Sequence, residues 1–132
     1  MQRGQQTACS LLSLRLIMNI EIFREYCLSK PGTTEHLPFD DRTLVFKVGG
    51  KMFALCDLEE FTGANLKCDT EWAVELREQY EAVTPGYHMN KKHWNTIAAN
   101  SDVDMELFLK LIDHSYELVK SGLPKREREK LC

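Results

Sequence analysis

Apolar residues recur at helical spacing in some stretches of the chain and alternate at strand spacing in the stretches between them. Over residues 19–29, Ile20, Phe23, Tyr26 and Cys27 share one face and Glu21, Arg24 and Glu25 the other, which predicts an amphipathic helix. Lys30-Pro31-Gly32 stops it, and residues 33–41 read as a polar connector. Two β-rich runs, 43–48 and 51–56, flank Gly49-Gly50. Paired glycines tolerate the positive φ angles of a type I′ turn, so the pattern predicts a hairpin. A regular register from that turn sets Val48 opposite Lys51, Phe46 opposite Phe53 and Leu44 opposite Leu55. These apolar residues then form one buried face with Lys51 at its rim. Thr43, Val45, Lys47, Met52, Ala54 and Cys56 form the other face, open to solvent, a light covering or a partner.

An acidic connection over 57–63 leads to a third strand at 64–68. Asp69 or Thr70 caps a helix that runs to about Tyr80, with Trp72, Leu76 and Tyr80 recurring every fourth residue. Residues 83–87 read as a short strand broken by Pro85-Gly86, and 92–98 as another. In the latter, Trp94, Thr96 and Ala98 share one side, and the polarity does not decide which side is buried. Ser101 with Asp104 resembles a capping box and opens the longest helix, which extends to about Ser121. Val103, Leu107, Leu111 and Leu118, with Phe108, Ile112 and Val119, make its apolar stripe. Gly122 ends it, and Pro124 starts a short basic helix through Leu131. An α+β fold satisfies this order: one antiparallel sheet with helices packed mainly on one face and the other face left available.

At 132 residues and 43% apolar, the chain is long enough for one domain with its own core. Residues 1–17 carry Arg3 and Arg15 but no acid, and Arg15 interrupts their short apolar run. They read as a disordered extension rather than a signal peptide, with the domain spanning 18–132. No stretch approaches a membrane span. The five cysteines form no Cys-x-x-Cys pair and sit among core-like neighbours, which indicates free thiols in a reducing cytoplasm.

Candidate chemistry is sparse. There is no nucleophile elbow and no phosphate-binding loop, since Gly49-Gly50 lies in a hairpin. The acidic pairs Asp40-Asp41 and Glu59-Glu60 lie in connectors. His88 and His93 match neither helical nor strand ligand spacing. The pattern therefore indicates no catalytic residues, no metal and no cofactor. Net charge is −3, so affinity for an anion has to be local. Two windows are free of acids: 42–56, with Arg42, Lys47 and Lys51, and 82–101, with Lys91 and Lys92. Lys67 lies between them, on the third strand. These lysines suit phosphates, and Tyr87, His88, His93 or Trp94 suit bases, by stacking or hydrogen bonding. The competing reading buries Tyr87 and Trp94 in the core and leaves the lysines as solubilising charge.

Several separate runs together resemble the MmcQ/YjbR family. They are Thr43-Leu44-Val45-Phe46-Lys47-Val48-Gly49-Gly50-Lys51-Met52-Phe53-Ala54-Leu55, then Asn65-Leu66-Lys67-Cys68-Asp69, the stretch 85–96, and Ile112-Asp113-His114-Ser115-Tyr116. Pro31-Gly32-Thr33-Thr34-Glu35 and Leu123-Pro124-Lys125 fit as well, so the resemblance covers 18 to about 131. It implies a CyaY-like fold and a DNA-binding protein with a double-wing arrangement of hairpins and no enzymatic activity. Carried onto this chain, it places DNA contacts at Lys47, Lys51, Lys67, Lys91, Lys92, His93 and Trp94. The iron binding of frataxin-like relatives of that fold is not expected, because the first helix offers only Glu21 and Glu25. The alternative is a protein- or small-ligand-binding module that uses the open sheet face.

Overall fold

The computed structural model describes residues 17–86 and 89–131. In chain order the elements are α1 (Ile20–Leu28), β1 (Thr33–His36), β2 (Thr43–Val48), β3 (Lys51–Asp57), β4 (Gly63–Lys67), α2 (Thr70–Gln79), β5 (Val83–Pro85), β6 (Trp94–Ala98), α3 (Met105–Ser121) and α4 (Lys125–Glu129). The six strands form one sheet in the order β1-β2-β3-β4-β6-β5, with every neighbouring pair antiparallel. The fold is α+β, and α1, α2 and α3 bury their apolar sides on one face of the sheet.

Local signals explain most boundaries. Asn19 caps α1 by accepting from the Ile22 backbone N–H, and Asp69 caps α2 by accepting from Glu71 and Trp72. Helix α3 starts later than the capping-box pattern implies. Asp104 is its N-cap, accepting from Leu107, while Ser101 Oγ donates back to the Ala98 carbonyl. The connector expected at 33–41 is also corrected. Its first residues form the edge strand β1, paired along β2 from Thr33–Val48 to His36–Val45. A polar edge strand carries no apolar alternation, because its backbone is held from one side only and its side chains stay near water.

The hairpin turn is as expected, with Gly49 and Gly50 at φ 59° and 79°. Its register is not. Val48 faces Lys51 and Lys47 faces Met52, but Phe46 then faces Ala54, Val45 faces Leu55 and Leu44 faces Cys56. Phe53 is an extra residue, a β-bulge. Phe53 and Ala54 both turn to the helices, and every residue after them changes face. Ala54 and Cys56 therefore belong to the main core, and Leu55 to the open side.

The main core centres on Phe23, whose ring meets Phe46, Phe61 and Phe108 at centroid distances of 5.7, 5.6 and 6.2 Å. One stretch of α3 pins the surrounding elements. Asp113 accepts from the Tyr26 hydroxyl at 2.8 Å and pairs with Lys30. His114 Nε2 accepts from the Asp69 backbone N–H at 3.1 Å. Ser115, fully buried, accepts from the Lys67 N–H and donates to the Phe53 carbonyl. The Tyr116 hydroxyl donates to the Pro31 carbonyl. The motif 112–116 is thus a set of structural rivets, and Ser115 ties the bulge of β3 to the end of β4.

Candidate site on the open sheet face

The face turned away from the helices is built from alternate residues of each strand. In register across the middle of the sheet lie Val45, Leu55, Asn65 and Thr96, and at one end Lys47 with Met52 and Lys67 with Trp94. Val45, Leu55 and Trp94 form a small second cluster, with Met52 and Met89 packed against it. Trp94 is only 8% exposed, so the strand side that the polarity pattern leaves undecided carries its aromatic ring on the open face yet keeps it covered. A ring so covered is not presented for base stacking.

The lysines gather at one end. Lys47 and Lys67 project from this face, and Lys91 and Lys92 lie in the connection between β5 and β6, at the same end. Lys51 begins β3 opposite Val48, on the helix-side rim at the hairpin tip. Among the described residues none of these five lysines has an ion-pair partner; Lys91 Nζ donates to the Gly86 carbonyl at 3.2 Å. His93 is half-buried and works through its backbone, with its carbonyl accepting from Cys68 N–H at 2.8 Å. Tyr87 and His88 lie outside the described residues.

A residue that sequence reasoning overlooked holds the lysine loop. Arg77, near the end of α2, donates through Nε to Asn95 Oδ1 at 2.7 Å and through its terminal nitrogen to the Lys91 carbonyl. Its one legible sign is an arginine in the last turn of a helix otherwise rich in acids. Arg42, by contrast, is spent. It pairs with Asp57 at 2.8 Å, Glu60 at 3.3 Å and Glu59 at 3.7 Å. Those acids, with Asp40 and Asp41, occupy the opposite end of the sheet from the lysines. The Asp57 carboxyl is held below the usual carboxylate range by the Glu60 backbone N–H, with help from Arg42 and the Glu59 N–H. The open face therefore carries a charge gradient from a basic end to an acidic end.

Between the ends lies a groove of about 700 Å³. Leu55, Asn65 and Thr96 form its floor, and Phe39 and Met89 also line it. Thr96 Oγ1 donates to Asn65 Oδ1, and Asn65 Nδ2 has no hydrogen bond among the described residues. Phe39 is 64% exposed. Leu55 was expected on the buried face, and the bulge at Phe53 turns it into the groove; Phe39, Asn65, Met89 and Thr96 were not singled out as a site from the sequence. Cys56 touches the groove but is no nucleophile, since burial pushes its thiol up to about 12. Cys27 and Cys68 are also free and buried. No described helix is long and apolar enough to cross a membrane.

Known proteins resemble this chain in sequence and fold. The family model described as YjbR matches residues 28–118. The uncharacterized protein YbdF of Escherichia coli O157:H7 is 38% identical over 112 residues, covering 84% of this chain and 92% of its own. The uncharacterized protein YjbR of Escherichia coli K12 is 31% identical over 115 residues, covering 86% and 98%. Among solved structures, Deinococcus radiodurans protein DR2400 superposes with a TM-score of 0.81 at 40% identity over 91% of each chain. A Pseudomonas syringae protein superposes with a TM-score of 0.66 at 26% identity, over 77% of this chain and 99% of its own. The chain belongs to the YjbR family.

Proposed function

We propose that this chain is a non-enzymatic DNA-binding protein of the reducing cytoplasm, and that the open sheet face is its binding surface. The observation that carries the reading is the contrast between its cations. Arg24, Lys30 and Arg42 each close an ion pair, whereas Lys47 and Lys67 stand on a face no helix covers, with Lys91 and Lys92 in the connection at the same end of the sheet, and none of the four has an ion pair among the described residues. Unpaired lysines on a shared surface are what a phosphate backbone needs, and the acids at the far end set a direction for the strand. The hairpin turn at Gly49-Gly50 and the lysines of the β5–β6 connection lie at this end, and on this reading they take the place of the pair of wings that the family resemblance implies. Titration of duplex DNA at two salt concentrations tests the reading. Binding at low salt that weakens steeply as salt rises supports it, because neutralised phosphates release counterions. Absence of binding to DNA at low salt, duplex and single-stranded alike, rejects it.

The groove favours a second reading, a protein- or small-ligand-binding module on the same face. Its surface is Val45, Met52 and Leu55 with Trp94 and Met89, rather than the Ala54 and Cys56 expected from the regular register. Binding through that surface is insensitive to salt, which separates the two readings.

A further inference from the structure

Resting on the nucleic-acid reading, we propose that the groove seats one unpaired nucleobase, so that the preferred ligand is single-stranded DNA rather than duplex. Its volume of about 700 Å³ accommodates a nucleotide and lies within the roughly 300–1,000 Å³ typical of small-molecule sites. Its composition fits a base. Phe39 leaves most of its ring in water, and an exposed aromatic at the border of a groove is a stacking platform for any base. Met89 supplies a second apolar surface. On the floor, Asn65 Oδ1 is engaged by Thr96 Oγ1, which orients the amide and leaves Nδ2 as a donor toward a base carbonyl or ring nitrogen.

Charge selects the occupant. Lys67 follows Asn65 by two residues on the same strand face, which places it about 6.6 Å further along. That is the scale of the distance from a base to its own phosphate. Lys47 and the Lys91–Lys92 loop continue the basic surface beyond it, so the backbone runs toward the lysines with the base directed into the groove. Asp57, engaged by Arg42 at the other end of the groove, disfavours a phosphate there and fixes the polarity of this arrangement. A duplex keeps its bases stacked and paired and reaches only the lysine end.

The test is fluorescence anisotropy with a labelled single-stranded oligonucleotide and its duplex, on the wild type, Phe39→Ala, Phe39→Trp and the pair Lys47→Gln/Lys67→Gln. Phe39 has no core role, so its variants fold. The expected result is tighter binding of the single strand, a loss of about tenfold in single-strand affinity for Phe39→Ala with duplex affinity unchanged, and recovery with Phe39→Trp. The lysine pair weakens both ligands. Equal affinity for the two ligands, with Phe39→Ala changing neither, overturns the base seat and leaves lysine-borne DNA binding standing. No binding of either ligand at low salt overturns both.

Discussion

A single buried hydroxyl does more for this fold than its residue type announces. Ser115 accepts from the Lys67 N–H and donates to the Phe53 carbonyl, and both are strand groups displaced from the regular ladder. Ser115→Ala leaves the buried Phe53 carbonyl and the part-buried Lys67 N–H without this partner, and is expected to cost about 1–3 kcal/mol in urea denaturation. The adjacent His114 sets a pH dependence. It accepts from Asp69 N–H and packs edge-on to Trp72 at 4.6 Å, so it functions as the neutral ring. Burial lowers its pKa from 6.5, against the weaker opposing pull of the Asp69 carboxylate. Below pH 6.5 the unfolded chain takes up the proton first, so ν of the unfolded state exceeds that of the folded state and stability falls as pH drops. Above that pH the contribution is fully present. Denaturation midpoints at neutral and mildly acidic pH are expected to differ in the wild type, and His114→Gln is expected to remove part of that difference.

Among the elements, those with strong local chemistry were legible in advance. The glycine pair and the Asp69 cap each dictate their structure from a few adjacent residues and appear where the pattern places them, while the stripe of α3 appears in part, with Phe108, Leu111, Ile112 and Val119 buried but Val103 ahead of the helix and Leu118 half-buried. What stayed hidden depends on contacts distant in sequence. Strand β1 exists because β2 lies beside it, and the bulge at Phe53 exists because Ser115, 62 positions away, receives the carbonyl it frees. That one extra residue moved Leu55 to the open face and Ala54 and Cys56 to the core, so the surface of the candidate site was misassigned from pattern alone. The lysines were legible as acid-free windows, whereas the groove was not. Two glycines separate turn chemistry from close approach. A Cβ at Gly50 meets nothing within 4 Å, so Gly50→Ala is expected to cost only about 1 kcal/mol for its positive φ. A Cβ at Gly63 would lie 2.1 Å from the Ile97 carbonyl oxygen, so β4 and β6 must separate. Gly63→Ala is expected to cost about 3 kcal/mol or more, read as the difference between the two variants in thermal unfolding.

At the scale of the whole molecule, a chain of net charge −3 is not drawn to DNA by its overall field. On the proposed reading the attraction comes instead from separated charge, with Lys47 and Lys67 at one end of the open face and Asp40, Asp57, Glu59 and Glu60 at the other. The most direct test of that claim is the dependence of duplex DNA affinity on salt, measured for the wild type and for Lys47→Gln/Lys67→Gln. Each phosphate contact contributes about 0.9 to the slope of log K against log salt, so the paired substitution is predicted to make the slope shallower by about 2. A slope that both proteins share, or wild-type binding that salt does not weaken, contradicts the assignment of the open face as the phosphate-binding surface.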